Sequence, residues 1–381
     1  MPLPHMLCFM LNQLKQSTQT ALDHFFDLLG KDVHMSQQSF SEARQKLRWE
    51  GCRELLDFNV SYVYSEGYST WHGYRVWAMD GSKMQLPSDP KLVAEFGTAG
   101  RGGSAATAQS SCLYDVLNDF IADALLEPMQ TDERSLALRH LHHLRGMDSF
   151  AKELVILDRG YPSAALFKAF QEAGVRFLMR VRKKFSLDID RMPLGDRQYV
   201  LTGDGEDIPV RVIKFLLPSG ETETLITDLF DKRMSVSGFK ALYFKRWPVE
   251  TKFGELKHRL EIENFSGRTK EAILQDFYIS AFLSNMITVA ANETQPIIDS
   301  LQADSGNKYE YKVNRSHAVG VFKDRFIRML IEPNKRKAKR EYERIIHLLT
   351  YHLTPIRPDR SVPRNPCPRK ARFHFNRKSN C

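Results

Sequence analysis

The sequence has few cysteines, and their arrangement does not suggest a structural staple. Five occur in 381 residues, scattered along the chain and without a CxxC pair. This pattern argues against a disulfide framework and against a cysteine-based zinc site, and it is typical of a reducing compartment. A chain of this length that is 42% hydrophobic can bury a full-sized core without such staples.

Long uninterrupted apolar runs are also missing. The longest apolar stretch, residues 277–291, contains two serines, an asparagine and a threonine. It is too short and too polar for a bilayer span, so it predicts a buried helix. The first eleven residues are apolar but contain no Lys or Arg, which argues against a signal peptide. We therefore expect no membrane partner.

Two common ligand sites are not supported either. The glycine-rich segment 97–104 lacks the GK[ST] ending of a phosphate-binding loop, so we interpret it as an ordinary loop. His140 and His143 can share one helical face, but no third ligand lies near them in the sequence, which disfavours a zinc site. Nucleotide and zinc binding are therefore set aside.

Positive charge is in excess, and it is unevenly placed. The formal net charge is +9 and the pI is about 9.2. Residues 335–381 contain 14 Lys and Arg against 3 Asp and Glu, a net charge of +11, so the preceding residues carry −2. A near-neutral body with a basic tail predicts attachment to a polyanion.

The residue pattern divides the chain into five regions. Within the first, Arg44, Lys46 and Arg48 add positive charge to an amphipathic helix, so a DNA-contacting helix and a solvated surface helix both remain open. The regions are a helical N-terminal region (1–70), an α/β region (71–181), a β-rich region (182–234), a helical region (235–302), and a C-terminal helical region with the basic tail (303–381).

Two aspartates follow apolar strands in the α/β region. Residues 74–80 and 83–86 predict two strands joined by a tight turn, with Asp80 at the end of the first. Residues 154–157 predict a buried strand that ends at Asp158, and the helix and strand that follow complete a parallel βαβ unit. Catalytic sites gather at this edge of α/β sheets, although for either aspartate alone the favoured interpretation is a simple turn residue.

A third element lies in the helical region. Tyr243, Arg246, Glu250 and Lys257 have helical offsets of 0, 3, 7 and 14, which place them within an arc of roughly 60° on one continuous helix. A solvated charged face is the alternative interpretation. Pro248 adds another, because it can mark either a kink or the start of the helix.

The three acids suit one kind of chemistry. Carboxylates without His or Cys neighbours are the hard oxygen ligands that Mg²⁺ or Mn²⁺ prefers. Two such ions held about 4 Å apart can activate the attacking oxygen and stabilise the leaving oxygen at a phosphodiester. Arg246 and Lys257 are suited to phosphate contacts, and Tyr243 and Trp247 are suited either to stacking on a displaced base or to packing.

Three segments carry a family resemblance. Residues 80–87 (DGSKMQLP), residues 158–162 (DRGYP) and the Tyr-x2-Arg-x3-Glu-x6-Lys pattern that begins at Tyr243 resemble the signature regions of the YREK-bearing DDE transposases of bacterial insertion sequences, the insertion-sequence-four group. The YREK spacing matches without a gap, and the likeness extends over roughly residues 36–330. Three regions in the same order make the resemblance specific.

The resemblance implies a fold and a set of site residues. The fold is α/β, with a ribonuclease-H-like catalytic core formed by residues 71–181 and 235–302 and interrupted by the β-rich insertion 182–234. Asp80, Asp158 and Glu250 would be the catalytic residues and the ligands of two Mg²⁺ or Mn²⁺ ions. The DNA contacts would be Tyr243, Arg246 and Lys257, to which we add Trp247 and Arg159 as candidates.

The resemblance also implies an activity. It is metal-dependent DNA strand cleavage at transposon ends, followed by transfer of the 3′-OH into target DNA by a homodimer on DNA in the bacterial cytoplasm, associated with the nucleoid. Some relatives flip a base onto a tryptophan of the insertion, but residues 182–234 contain no Trp, which argues against that version. Two alternatives remain: a metal-dependent DNA nuclease on the same fold, and an inactive or domesticated DNA-binding protein.

Overall fold

The structure is a computed structural model. It describes residues 1–12, 17–30, 33–100, 103, 105–147, 152–203, 205–303 and 305–357, apart from the side chain of Asp324. The end of the predicted basic tail (358–381) and three residues of the glycine-rich loop (101, 102 and 104) lie outside the described residues.

Helices and strands alternate through the described chain. The helices are α1 (Leu3–Leu11), α2 (Thr18–Leu28), α3 (Gln37–Arg44), α4 (Trp49–Glu66), α5 (Pro90–Phe96), α6 (Glu133–Gly146), α7 (Ala164–Glu172), α8 (Leu187–Arg191), α9 (Val236–Phe244), α10 (Pro248–His258), α11 (Lys270–Gln302), α12 (Arg315–Ile331) and α13 (Lys335–Leu349). The strands are β1 (Tyr74–Gln85), β2 (Thr107–Asp115), β3 (Phe120–Pro128), β4 (Lys152–Leu157), β5 (Arg176–Arg180), β6 (Gly195–Gly203), β7 (Glu206–Leu216), β8 (Thr222–Thr227), β9 (Tyr311–Val313) and β10 (Leu353–Pro355).

The chain forms two compact units. Unit 1 contains Met1–Asn59, Gln85–Thr107 and the described part of Glu255–Cys381, and unit 2 contains Val60–Met84 and Ala108–Gly254. The five regions inferred from the sequence remain a prediction.

Unit 2 is built on an eight-stranded mixed sheet with the strand order β3-β2-β1-β4-β5-β8-β7-β6. β1, β4 and β5 are parallel. β8, β7 and β6 continue the sheet from β5 in antiparallel pairs. The predicted α/β class and the parallel βαβ unit β4–α7–β5 are confirmed. The residues predicted as a β-rich insertion thus extend the same sheet.

The central strand β4 is buried because its sequence is apolar on both faces. All four residues of 154–157 have no exposed surface, as expected for a strand covered on both sides. One face packs in a core cluster with Phe239, Leu242 and Tyr243 of α9. This packing sets the position of the first residue of the YREK pattern relative to the sheet.

β1 is one continuous strand of twelve residues, so the predicted turn after Asp80 is wrong. Its parallel pairing with β4 ends at the pair Ala78–Ile156, and Asp80 therefore lies within β1, just beyond that pairing. The hydroxyl group of Ser111 on β2 donates to the Asp80 carbonyl oxygen at 3.3 Å. The neighbouring hydroxyl group of Ser110 donates to the Ser82 carbonyl oxygen at 2.6 Å. Pairing with β2 and these side-chain bonds favour extended conformation where the sequence predicts a turn.

Unit 1 contains the long apolar helix α11. Its length and composition are sufficient for crossing a membrane, but 78% of the relevant window is buried inside the protein. The prediction of a buried helix at residues 277–291 is confirmed. Thr269 caps the helix, because its side chain accepts a hydrogen bond from the Ala272 N–H.

Arg44 is buried in the interior of unit 1. Its side chain is 6% exposed, and the guanidinium group lies 2.7 Å from a carboxylate oxygen of Asp276 on α11. It also donates to the Gln275 side chain and to the Ala272 carbonyl oxygen. Arg44 is therefore not available at the surface, whereas Lys46 and Arg48 are exposed, and DNA contact by this region stays a prediction.

The predicted basic tail begins with a helix. α13 is capped by Asn334, whose side chain accepts from the backbone N–H groups of Arg336 and Lys337. Ile345 and Leu349 of this helix are fully buried. The first part of the tail is therefore an ordered element of unit 1.

Candidate active site

The three predicted acids all belong to unit 2. Asp158 directly follows β4, and its carboxylate accepts a hydrogen bond from the Arg159 N–H at 2.6 Å. Asp80 accepts from the Gly81 N–H at 2.9 Å. Both carboxylates are thus oriented by the backbone immediately after them.

The YREK residues do not lie on one continuous helix. Tyr243 is in α9, Arg246 and Trp247 form the turn after it, and α10 begins at Pro248. The interpretation of Pro248 as a helix start is confirmed, and the single-arc interpretation is wrong. Proline suits this position because the first helical residue needs no N–H donor.

The turn brings Arg246 between two of the acids. Its guanidinium group lies 2.8 Å from a carboxylate oxygen of Glu250 and 3.7 Å from one of Asp80. The Tyr243 hydroxyl group lies 3.5 Å from a carboxylate oxygen of Asp158. Tyr243 and Arg246 therefore contact three acids, of which the first and the last are 170 residues apart in the sequence.

The electrostatics are unfavourable for Asp80. The pKa of this carboxyl group is raised to about 6, mainly by burial and to a smaller extent by the negative charges of Glu250 and Asp158, while Arg246 and the Gly81 N–H oppose the shift. Burial also raises the pKa of the Tyr243 hydroxyl group, with a smaller contribution from Asp158. The site thus concentrates negative charge in a region partly removed from water.

The sequence matches the family described as "Transposase DDE domain" over residues 71–286, which is more than half of the chain. The chain belongs to this family. The transposase family implies a DNA-cleaving enzyme that depends on a divalent metal ion. The match spans all three acids and the whole YREK pattern.

No curated protein matches the chain. A solved structure similar to this transposase chain is the cryo-EM structure of a piggyBac transposase synaptic complex with hairpin DNA. The similarity has a TM-score of 0.49 and 14% sequence identity, and it covers 90% of this chain and 74% of that chain.

The donor set of the transposase site fits a hard divalent cation, although the acids are not converged on one point. Among the described residues, no three His, Cys, Asp or Glu side chains are grouped closely enough for one metal ion. The Arg246 guanidinium group supplies positive charge between Asp80 and Glu250 in this arrangement. The Asp80, Asp158 and Glu250 side chains offer carboxylate oxygens, which are the ligands that Mg²⁺ and Mn²⁺ prefer.

The predicted DNA contacts of the transposase have different surroundings. Trp247 is 41% exposed, and the Arg246 guanidinium carbon lies 5.2 Å from its ring centre. Arg159 is exposed, and its carbonyl oxygen accepts from Arg182. Lys257 belongs to unit 1, where its ammonium group lies 3.8 Å from Glu263. The roles of these residues in DNA binding remain predictions.

Several polar side chains near the three acids are not indicated by the sequence patterns. Glu133, at the start of α6, belongs to none of the motifs, and Tyr161 enters them only as part of the DRGYP segment. Arg180 and Glu223 form an ion pair at 3.1 Å, and both influence the pKa of Tyr243. The glycines beside each aspartate were the one available signal for Glu133, since glycine often marks close approach of other groups.

His140 belongs to a buried hydrogen-bond chain and not to a zinc site. Its Nδ1 atom lies 2.8 Å from Asp123, and its Nε2 atom lies 3.0 Å from the Ser111 hydroxyl group. Ser111 in turn reaches the Asp80 carbonyl oxygen. This series of hydrogen bonds holds the backbone of β1 at Asp80.

Proposed function

We propose that the protein is a DDE transposase of the YREK-bearing insertion-sequence-four group. In this proposal it cleaves DNA at transposon ends and transfers the resulting 3′-OH into target DNA. The ribonuclease-H-like core and the basic DNA-binding tail belong to the same proposal. The supporting observation is that Arg246 lies beside both Asp80 and Glu250, while Tyr243 of the same motif lies beside Asp158.

Asp80, Asp158 and Glu250 would hold the divalent cations through their carboxylate oxygens. At neutral pH Asp80 is mostly ionised, because its pKa of about 6 is still below 7. The backbone N–H groups after the two aspartates fix one oxygen of each and leave the other available. Bound divalent cations would supply polarisation of the attacking oxygen and stabilisation of the leaving oxygen at the scissile phosphodiester.

Arg246 would contact a phosphate oxygen near the cleaved end. Its Nε and Nη1 atoms are buried and have no hydrogen-bond partner within the described chain. If Glu250 held a cation, the guanidinium group would be without this carboxylate partner, and a phosphate oxygen would fit in its place with matching bidentate geometry. Tyr243 would keep Asp158 in place through its hydroxyl group.

Trp247 and Arg159 of unit 2 would also contact DNA, and so would Lys257 of unit 1. Trp247 presents an exposed ring on which an unpaired base can stack. Two copies of the chain, one for each transposon end, would act as a homodimer on DNA, in the bacterial cytoplasm and associated with the nucleoid.

The test of this proposal is a cleavage assay with the element's own flanking DNA and Mg²⁺. Products are scored as nicks, hairpins and joined molecules, for the unmodified chain and for Asp80→Asn, Asp158→Asn and Glu250→Gln. We expect each substitution to abolish cleavage and to leave DNA binding largely intact. Glu172→Gln, which removes an exposed carboxylate on α7, is the matched control and should cleave normally.

Each product pattern selects one function. Joined products support the transposase, nicks without joining would instead indicate a nuclease, and binding without cleavage would indicate an inactive DNA-binding protein. Near-full cleavage by any one of the three acid variants would remove that residue from the proposed site.

A further inference from the structure

Glu133 lies at the start of α6, where the helix is fixed to the loop after Asp158. Asp132 caps the helix by accepting from the backbone N–H groups of Arg134 and Ser135. The Arg134 side chain donates to the Tyr161 carbonyl oxygen at 3.0 Å and to the next carbonyl oxygen at 3.3 Å. Glu133 is therefore held at a defined distance from the Asp158 loop.

The Glu133 carboxylate lies against the backbone beside both catalytic aspartates. A Cβ atom on Gly81, directly after Asp80, would lie 3.2 Å from one of its oxygens. A Cβ atom on Gly160, two residues after Asp158, would lie 3.3 Å from the other. One carboxylate thus lies close to the chain after Asp80 and close to the chain after Asp158, and the two glycines leave room for it.

Tyr161 provides an independent observation at the same place. Its side chain is buried, with 2% of the residue exposed, and its hydroxyl group has no hydrogen-bond partner within the described chain. Burial raises the pKa of this hydroxyl group, and the negative charges of Asp80, Glu133 and Asp158 raise it further. A buried hydroxyl group without a partner is costly, and this one lies within electrostatic reach of all three acids.

We propose that Glu133 is a fourth acidic ligand of the divalent-cation site of Asp80, Asp158 and Glu250, and that Tyr161 positions the bound ligands through its hydroxyl group. This inference rests on the proposed function, because it needs a cation at the first three acids. Carboxylates gathered in a partly buried site repel one another until a cation binds. Glu133 is exposed to solvent, so its side chain can rotate toward a cation without unfolding of α6.

The number of negative ligands sets the affinity of such a site, which gives a test that does not depend on catalysis. Mn²⁺ binding to the full chain without DNA is measured from the loss of the free-ion electron paramagnetic resonance signal. The variants are Glu133→Gln, Asp80→Asn and Tyr161→Phe, and Glu172→Gln serves as a control of equal charge change. Circular dichroism checks that each variant is folded.

We expect Glu133→Gln to weaken Mn²⁺ binding by about tenfold or more and Tyr161→Phe to weaken it by about tenfold. Glu172→Gln should bind like the unmodified chain. Glu133→Asp keeps the charge on a shorter side chain, so its Mn²⁺ affinity should lie between that of Glu133→Gln and that of the unmodified chain. It provides a second variant if Glu133→Gln is poorly folded.

The outcomes separate this inference from the function on which it rests. If Asp80→Asn weakens binding and Glu133→Gln does not, the fourth ligand is overturned while the proposed site stands. If Asp80→Asn and Glu133→Gln both bind Mn²⁺ like the unmodified chain, the cation site itself is overturned. Unchanged binding by Tyr161→Phe alone removes the positioning role of Tyr161.

Discussion

Asp80 is a half-buried acid whose surroundings disfavour its negative charge. Its side chain is 23% exposed, and its pKa is raised to about 6, mainly by burial. When no cation is present, the ionised form of Asp80 therefore lowers the stability of the folded chain. Such a cost is common where carboxylates are gathered for catalysis.

A pH dependence of stability follows from this raised pKa. The folded chain holds the Asp80 proton more tightly than the unfolded chain, so this stabilisation is full below about pH 4 and is lost as the pH rises through about 6. Between pH 5 and pH 8, with EDTA present, the unmodified chain should lose about 1 kcal/mol relative to Asp80→Asn. Urea unfolding of both proteins at both pH values measures the difference, and a difference independent of pH would contradict the assignment.

Arg44 gives a second prediction at the scale of the residue. Replacing it with Met leaves Asp276 without its buried partner, and the free energy of unfolding should fall by about 3–5 kcal/mol. Arg48→Met is the matched control, because Arg48 lies four residues later and its side chain is exposed. This substitution should cause no measurable change in the free energy of unfolding. Equal unfolding midpoints in urea for the two variants would show that the Asp276 pair does not stabilise the unit.

At the scale of the element, capping residues decide where the helices of this chain begin. Ser163 starts α7, Asp132 starts α6 and Asn334 starts α13, each by accepting backbone N–H groups that the first helical turn leaves unpaired. Pro248 starts α10 for a related reason, since it lacks the N–H that would need a partner. These starts place Glu133 and Glu250 in first helical turns.

Removing one cap should loosen one helix. Asn334→Ala should cost about 1 kcal/mol in the stability of α13, which predicts about fivefold faster hydrogen–deuterium exchange of its amides where exchange occurs by local opening. Lys335→Ala, one residue further on, keeps the cap and serves as the control. Unchanged exchange in Asn334→Ala would mean that the packing of Ile345 and Leu349 alone defines the helix.

At the scale of the whole molecule, the excess positive charge and the proposed catalytic acids lie in different parts of the sequence. The residues before 335 carry a net charge of −2, and the proposed acids lie among them, while residues 335–381 carry +11. Part of that positive charge is on the ordered helix α13. Removing all of 335–381 would therefore disturb unit 1 as well as its charge.

DNA binding by the tail is better tested with a truncated protein that lacks residues 358–381 only. This segment contains seven Lys and Arg, and each phosphate contact contributes about 0.9 to the slope of log affinity against log salt. If about half of the bases contact phosphates, the slope should fall by about 3. A full-length variant with these seven bases changed to Gln should match the truncation, and an unchanged slope in either protein would contradict the tail as a DNA-binding arm.

Local patterns predicted the elements that depend on local forces. The apolar run 154–157 predicted a buried strand, and the helix and strand after it predicted a parallel unit, both of which the structure has. The same reasoning placed a turn after Asp80 and failed, because hydrogen bonds from β2 keep β1 extended there. It also treated Arg44 as a surface residue, because the sequence does not show which acid a basic residue meets.

The sequence by itself determined which chemical groups this protein has: three acids within the span that matches the transposase family, residues with the YREK spacing, and a basic C-terminal region. Residue identity and spacing carry that information directly. Only the tertiary structure decided that Arg246 lies between Asp80 and Glu250 and that Glu133 lies beside Gly81 and Gly160. These contacts join residues from different strands and helices, so they depend on sheet order and packing, which no local period in the sequence encodes.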